Sequence, residues 1–434
     1  MKVLHVGWGY PPNWMGCGPV VYLHSLALAQ AAAGDTSIIA CASDRAVTGA
    51  PAYTTVCEVI AGVSYVHIQN RPVHMHDFWD PDRECEDARC SEAFGRVVRD
   101  VCPDVVHIHN LIGLSFDVIR EAKAHGSRVV MSLHNYFPLC SRDDLFFANA
   151  ERCEGPSVRS CSNCLGTLAG DHHYRKRHEH AINVLNSCDA LLAVSQRVAD
   201  IYAEHGVRRD LLSVEHIASV AAEDLWQRVG EARTSQAVRT SGAPQAAQID
   251  GAKQLHTVFY GSLTPRKGVF AFLQAIRALS HPERVQAHVY GGLSQQVADA
   301  IKVMLAKFPP STAACLHFHG AFSQSDLLDI LGPADLAVLP PRWEDNGPQT
   351  VLEALAAGVP VLATRIGGIP DFVVHGVNGL LVEDGCPDEI AALVDELSTR
   401  PQLLEQLRSG ITPPLSMDDH RRALTRHYDR NSLH

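Results

Sequence analysis

The feature that most constrains this chain is a strand, loop and helix alternation that runs through the first half and restarts after residue 252. Val3-Leu-His-Val-Gly7 is a short apolar run flanked by glycine and reads as a buried strand. A loop rich in proline and glycine follows, Trp8 to Gly18, and Pro19 occupies a first helical position, where its fixed φ fits and no N–H is wasted. Val20, Val21, Leu23, Leu26, Ala27 and Leu28 then recur at helical spacing up to Gly34, a natural helix terminator. Ser37-Ile-Ile-Ala-Cys41 is the next strand. Strand, helix and strand within about 40 residues imply a parallel βαβ unit.

The alternation continues with strands at Val105–His109 and Arg128–His134, separated by a helix over Phe116–His125, and with Ala190–Val194, followed by a helix from Ser195. Between Ser219 and Ala252 the composition shifts to Ala, Ser, Thr, Gln and Gly, which marks a boundary. Beyond it, strands are expected at Thr257–Tyr260, Ala287–Tyr290, Leu316–His319, Asp335–Leu339 and Pro360–Thr364. Helices are expected over Val269–Leu279 and Pro348–Ala357, and Ser323 with Asp326 forms a capping box. The expected fold class is α/β, with two Rossmann-like domains. The sequence divides into an N-terminal domain over 1–225 with a Cys-rich insertion at about 138–170, a linker over 226–254, a C-terminal domain over 255–412 and a terminal helix within 413–434. Ligands of open α/β sheets sit at the carboxyl ends of strands, so an interdomain cleft is the expected site.

With 434 residues, two or three domains are expected. The charge sum, 37 − 48 = −11, argues against nucleic acid and anionic lipid as partners. No apolar run reaches the ~18 residues of a membrane span, which leaves only peripheral membrane contact. The start, Met1-Lys-Val-Leu-His-Val-Gly-Trp, lacks a signal-peptide core, so a cytoplasmic location is expected. Thirteen cysteines are too few for a disulfide scaffold of this size.

The densest chemical signal is Pro340-Pro-Arg-Trp-Glu344-Asp345-Asn346-Gly347-Pro-Gln349-Thr350-Val-Leu-Glu353. A strand ends, a loop carries two carboxylates and an amide, and a helix begins at Pro348. The first N–H groups of that helix, near Gly347, Gln349 and Thr350, favour a phosphate. Glu353 lies roughly 9 Å along the helix at 1.5 Å per residue. One carboxylate beside the phosphate site and one further off suit hydroxyl groups on both sides of a diphosphate. The plain alternatives are a helix-end acid for Asp345 and a solvated face for Glu353.

Arg266-Lys267-Gly268 places two cations between a strand and a helix start. Gly16-Cys-Gly18-Pro19 is a glycine-lined loop that permits close backbone approach. Asp80-Pro-Asp82 lies in a charged stretch and reads as a loop. His107-Ile-His109 sets two imidazoles on one face of a strand, and a polar contact at the strand end is the expected role. Cys140, Cys153, Cys161 and Cys164 supply four soft ligands within 25 residues, the pattern of a structural zinc site. An iron–sulfur cluster, two disulfides, or replacement of one cysteine by His172 or His173 stay open.

With these residues in order, the chain resembles the retaining glycosyltransferases of the two-Rossmann-domain (GT-B) type, family 4. The likeness is densest from His256 to Asp384, through Arg266-Lys267-Gly268, the Asp345-to-Glu353 stretch, Gly367-Gly-Ile-Pro370 and Asn378-Gly379. It implies a UDP- or GDP-sugar donor held mainly by the C-terminal domain, and transfer with retention and without a divalent metal. The family's glutamate pair falls on Asp345, expected at the donor sugar, and Glu353, expected at the ribose. Glu344 stands ready beside the shortened Asp345. Ser262 replaces the family's arginine, and Arg266 takes its part beside Lys267. Gly16 and Gly18 match the loop that approaches the diphosphate, and His134 the histidine near the reacting carbon. Some members carry a similar cysteine set after that histidine, and a C-terminal helix that crosses back to the first domain. The acceptor is expected to be a small molecule, a glycan or a lipid-linked species. A nucleotide-sugar-binding protein without transfer, and a GT-B sugar-nucleotide 2-epimerase, are the competing readings.

Overall fold

The computed structural model describes residues 1–11, 18–43, 51–69, 80–147, 151–156, 159–238, 248–249 and 252–429. The chain divides into two compact units. One comprises Met1–Ala218 together with the residues from Ser416 onward, the other Ser219–Leu415.

The first unit is built on an eight-stranded sheet. Its order is Leu212–Val214, Ala190–Ala193, Arg128–Leu133, Val105–Ile108, Lys2–Trp8, Thr36–Ser43, Val63–Gln69 and Thr55–Ile60. All neighbours pair in parallel except the last two strands, which are antiparallel. The central strands are buried on both faces, as parallel strands covered by helices must be. One face carries an unusual polar layer, where His5 pairs in register with His107, both fully buried.

The helix Met417–Tyr428 belongs to this unit: Leu424 and Tyr428 share a core with Tyr22, Leu26 and Val130. Ser416 caps it by accepting from the Asp419 N–H at 3.1 Å. Arg177, on the helix Asp171–Leu185, is buried against Glu84 and donates to the carbonyls of Phe137 (2.7 Å) and Pro138 (3.1 Å). This fixes the turn that leads into Cys140. Asp80-Pro-Asp82, read above as a loop, instead opens the helix Pro81–Cys85, with the Asp80 side chain accepting from the Arg83 N–H. A proline at the first helical position after an aspartate cap makes that helix local and cheap.

The second unit holds a six-stranded, wholly parallel sheet in the order Leu316–Gly320, Val285–Tyr290, Leu255–Tyr260, Leu336–Leu339, Val361–Thr364 and Gly379–Val382. The chain thus starts in the middle, walks to one edge and returns to build the other, the doubly wound order. Where a linker over 226–254 is expected from composition, the helix Val220–Val238 runs on to residue 238. Its first turns pack Ala222 and Leu225 against Val351, Ala354 and Leu355. The helix is thus anchored in the core by its first turns, up to Trp226, and the sequence expected to be a tether continues it. Among the described residues no helix is long and apolar enough to cross a membrane.

Candidate functional site

In the second sheet the strand order reverses between Leu255–Tyr260 and Leu336–Leu339. The loops leaving these two strands therefore diverge, and the space at their carboxyl ends is the ligand crevice of such a fold. One loop carries Arg266 and Lys267, the other Glu344, Asp345 and Asn346.

Glycine lets the two loops meet. Gly268 has φ 85°, and a Cβ there would fall 1.7 Å from the Pro340 carbonyl oxygen. The Arg342 N–H donates to the Arg266 carbonyl at 2.8 Å and ties the loops together beside that contact. Gly367 plays the same part on the other side. It has φ 56°, and its Cβ would lie 2.4 Å from the Asp345 nitrogen. The Gly368 N–H donates to the Asp345 carbonyl at 2.7 Å, and the Gly367 N–H to the Glu344 carboxylate at 3.1 Å.

Charges gather in this frame. Lys267 Nζ lies 2.6 Å from the buried carboxylate of Asp345. The Trp343 indole collects both cations, with the Arg266 guanidinium 4.9 Å and Lys267 Nζ 5.0 Å from its ring centre. Ser262 is exposed and Arg266 half-buried. The geometry gives Asp345, not Glu344, to Lys267, while Glu344 holds the Gly367 backbone.

The helix that begins after Pro348 spans Gln349–Ala356. Its first N–H groups, at Gln349 and Thr350, have no preceding helical turn to bond to and suit an anion. Tyr260, at the end of its strand, donates its hydroxyl to the Thr350 carbonyl and pins the helix to the sheet. Burial pushes the Glu353 carboxyl up to about 7, with Lys267 and the Tyr260 hydroxyl pulling back. Arg266, Lys267, Glu344, Asp345, Asn346, Gly347, Gln349, Thr350 and Glu353 thus lie on two neighbouring loops and one helix start. Sequence reasoning missed Trp343 and Tyr260; the only sign was an aromatic residue next to each charged or glycine-bearing stretch.

The remaining predicted residues lie in the first unit. Gly18 opens the helix Gly18–Ala32, and Gly16 falls outside the described residues. His134 follows the strand Arg128–Leu133, its Nε2 3.0 Å from His109 Nδ1. Burial, with His420 nearby, holds it neutral, its pKa lowered to about 3.

Cys140, Cys153, Cys161 and Cys164 share one region, a two-strand hairpin of Phe146–Phe147 with Glu151–Arg152 and the short helix Cys161–Leu165. Burial raises Cys140 and Cys161 to about 12, and neighbouring thiols add to it. Four thiols are the right chemistry for zinc, yet no three of these sulfurs approach within 4.8 Å of one another, so as placed they do not form a tetrahedral set. Among the described residues only His5, His107 and His109 come that close.

Two family patterns match the chain. Glycosyl transferases group 1 covers residues 246–411, and Glycosyltransferase Family 4 covers 17–216. Between them the two patterns cover most of the chain, and its fold is that of the GT-B glycosyltransferases. The chain is 28% identical over 236 residues to a D-inositol 3-phosphate glycosyltransferase of Streptomyces bingchenggensis, across 52% of the chain and 49% of that relative. It is 25% identical over 226 residues to an alpha-maltose-1-phosphate synthase of Mycobacterium tuberculosis, across 51% and 56%. It spans about half the length of the curated relatives it matches. Among solved structures, Anabaena HepE in complex with UDP and glucose superposes with a TM-score of 0.62 at 15% identity, covering 98% of both chains. The sucrose-phosphate synthase of Thermosynechococcus elongatus gives 0.63 at 15%, covering 100% of this chain and 96% of that one. These likenesses establish the fold.

Proposed function

We propose that this chain is a retaining glycosyltransferase that moves a sugar from a UDP- or GDP-sugar to an acceptor, with the donor held by the unit Ser219–Leu415. The observation that carries this is the grouping of Lys267, Asp345, Trp343 and Glu353 where the strand order reverses. An activated sugar leaves behind a nucleoside diphosphate, so negative charge grows on the phosphates during transfer. Arg266, Lys267 and the start of the helix Gln349–Ala356 are positive groups set in place before that charge appears, and no divalent metal is needed to neutralise it. Asp345 faces the sugar hydroxyls and Glu353 the ribose hydroxyls. His134 acts in the same reaction as a neutral imidazole.

The phosphorylated-polyol name of one relative and the UDP and glucose bound in HepE favour a UDP-hexose donor and a phosphorylated small-molecule acceptor. The reading assigns no step to a metal. Zinc at Cys140, Cys153, Cys161 and Cys164 rests on their spacing and on the likeness to family members with a similar cysteine set, and less than half an equivalent of zinc or iron in freshly purified protein removes it.

A thermal-shift screen of UDP-, GDP- and ADP-sugars, followed by a transfer assay on sugar phosphates, tests the function. Lys267→Ala and Glu353→Ala each remove a charged contact of roughly 1.5–3 kcal/mol and should lower turnover tenfold or more. Wild-type rates in both would defeat the site assignment, and donor binding without hydrolysis or transfer would favour a binding protein.

A further inference from the structure

The polar layer inside the first unit is a continuous chain of imidazoles. Gln30 Oε1 lies 2.7 Å from His5 Nε2, His5 Nδ1 lies 3.0 Å from His109 Nε2, and His109 Nδ1 lies 3.0 Å from His134 Nε2. Gln30, His5 and His109 are buried, and burial lowers His5 to about 4 and holds His109 well below the usual histidine value. Tyr22 closes the chain from the helix side, edge-on to His109 and His134, and bonds His420 at 2.7 Å.

A neutral imidazole carries one proton, so each link decides the next. Gln30 sets the first. Its Oε1 accepts from Ser37 Oγ at 2.6 Å, while its Nε2 stands 3.4 Å from the Tyr428 hydroxyl. Contacts of 2.6 and 2.7 Å suit an oxygen acceptor better than a nitrogen donor. His5 must then carry its proton on Nε2 and accept at Nδ1. His109 must donate from Nε2 and accept at Nδ1, and His134 must donate from Nε2. Its Nδ1 holds the lone pair.

His107 stands apart from the chain. Its Nδ1 meets the Tyr428 hydroxyl at 2.6 Å and its Nε2 meets Ser132 Oγ at 2.8 Å. Both nitrogens of His5, His107 and His109 therefore have protein partners, which makes the trio a hydrogen-bond network and not a ligand set.

We propose that Gln30, His5 and His109 are positioning residues that fix the tautomer of His134 through this chain, so that His134 presents Nδ1 as an acceptor. The consequence for transfer rests on the role given to His134 above; the tautomer lock does not.

Proton–nitrogen correlation spectra of the imidazoles in the full-length protein read each tautomer directly. The expected result is a proton on Nε2 of His5, His109 and His134 alike, kept in Gln30→Glu, whose carboxylate preserves the acceptor. Gln30→Leu should scramble all three and lower kcat about tenfold or more at unchanged donor KM. A proton on Nδ1 of His134 in the wild-type protein overturns the lock, as does an unaltered His134 signal in Gln30→Leu. Tautomers that scramble while kcat stays at the wild-type level uphold the lock and remove His134 from the reaction.

Discussion

At the scale of single residues, the site rests on a contrast between two carboxylates only eight positions apart. Asp345 is buried against Lys267 and is an ion-pair partner. Glu353 sits one helix turn deeper, where burial outweighs the same lysine and raises its pKa to about 7. Because this value lies above the ordinary 4.5, the folded protein keeps the Glu353 proton longer than the unfolded chain does. Its contribution to stability is therefore full below pH 4.5 and is lost as pH climbs through 7. Glu353→Gln should be close to neutral in a melt at pH 4.5 and stabilising at pH 8, on the order of 1–3 kcal/mol. The same group should give donor binding an inflection near pH 7, tighter on the alkaline side, which the glutamine variant flattens. A pH series of calorimetric titrations with the donor reads this; an inflection that persists in Glu353→Gln would place the titrating group elsewhere.

At the scale of elements, the site depends on turns that only glycine can make. Gly268 ends the Arg266–Lys267 turn and opens the helix Val269–Arg277 with φ 85°. Gly268→Ala would set a methyl group against the Pro340 carbonyl, so the loop must move and carry Lys267 with it. The expected outcome is a loss of roughly 1–3 kcal/mol from the second unit and a fall in turnover that exceeds the fall in stability, since backbone strain at such a position is relieved only by displacement. Chemical denaturation paired with kinetics separates the two effects.

Much of this element-level picture was legible in the sequence. Proline or glycine at strand ends, Ser323 with Asp326, and the cations before Gly268 all act through short-range geometry, which a sequence states outright. What escaped was carried by distant partners. Trp343 gathers two cations from another loop, and Arg177 reaches across to Glu84, so neither pairing has a local spacing to betray it. Residues 226–238 read as tether because alanine and glutamine are indifferent to context, yet they continue a helix whose preceding turn is anchored by Ala222 and Leu225. The cysteine spacing speaks for an ion, while the positions of the sulfurs are set by a hairpin and a short helix whose hydrogen bonds do not need one.

At the scale of the whole molecule, the two units differ in how strongly they respond to acid. In the first, His5, His107, His109, His134 and His420 are all held below the ordinary 6.5, chiefly by burial. Each is neutral when folded and gains a proton on unfolding in acid, so this stability is present above pH 6.5 and drains away as pH falls towards 4 and 3. In the second, Glu353 weakens the fold as pH rises, while His288, lowered to about 4 chiefly by burial, weakens it in acid. Calorimetry should therefore show the first unit melting earlier at pH 5 than at pH 7.5, while the second shifts less. The helix Met417–Tyr428 sharpens the test, because it supplies the hydroxyl to His107 and the Tyr428 partner of Gln30. A chain ending at residue 415 leaves those buried groups unpaired, at roughly 1–3 kcal/mol each, and should lower the first transition by several degrees at every pH. If both units instead lost the same stability on acidification, the buried histidine layer would not be the element that senses the proton.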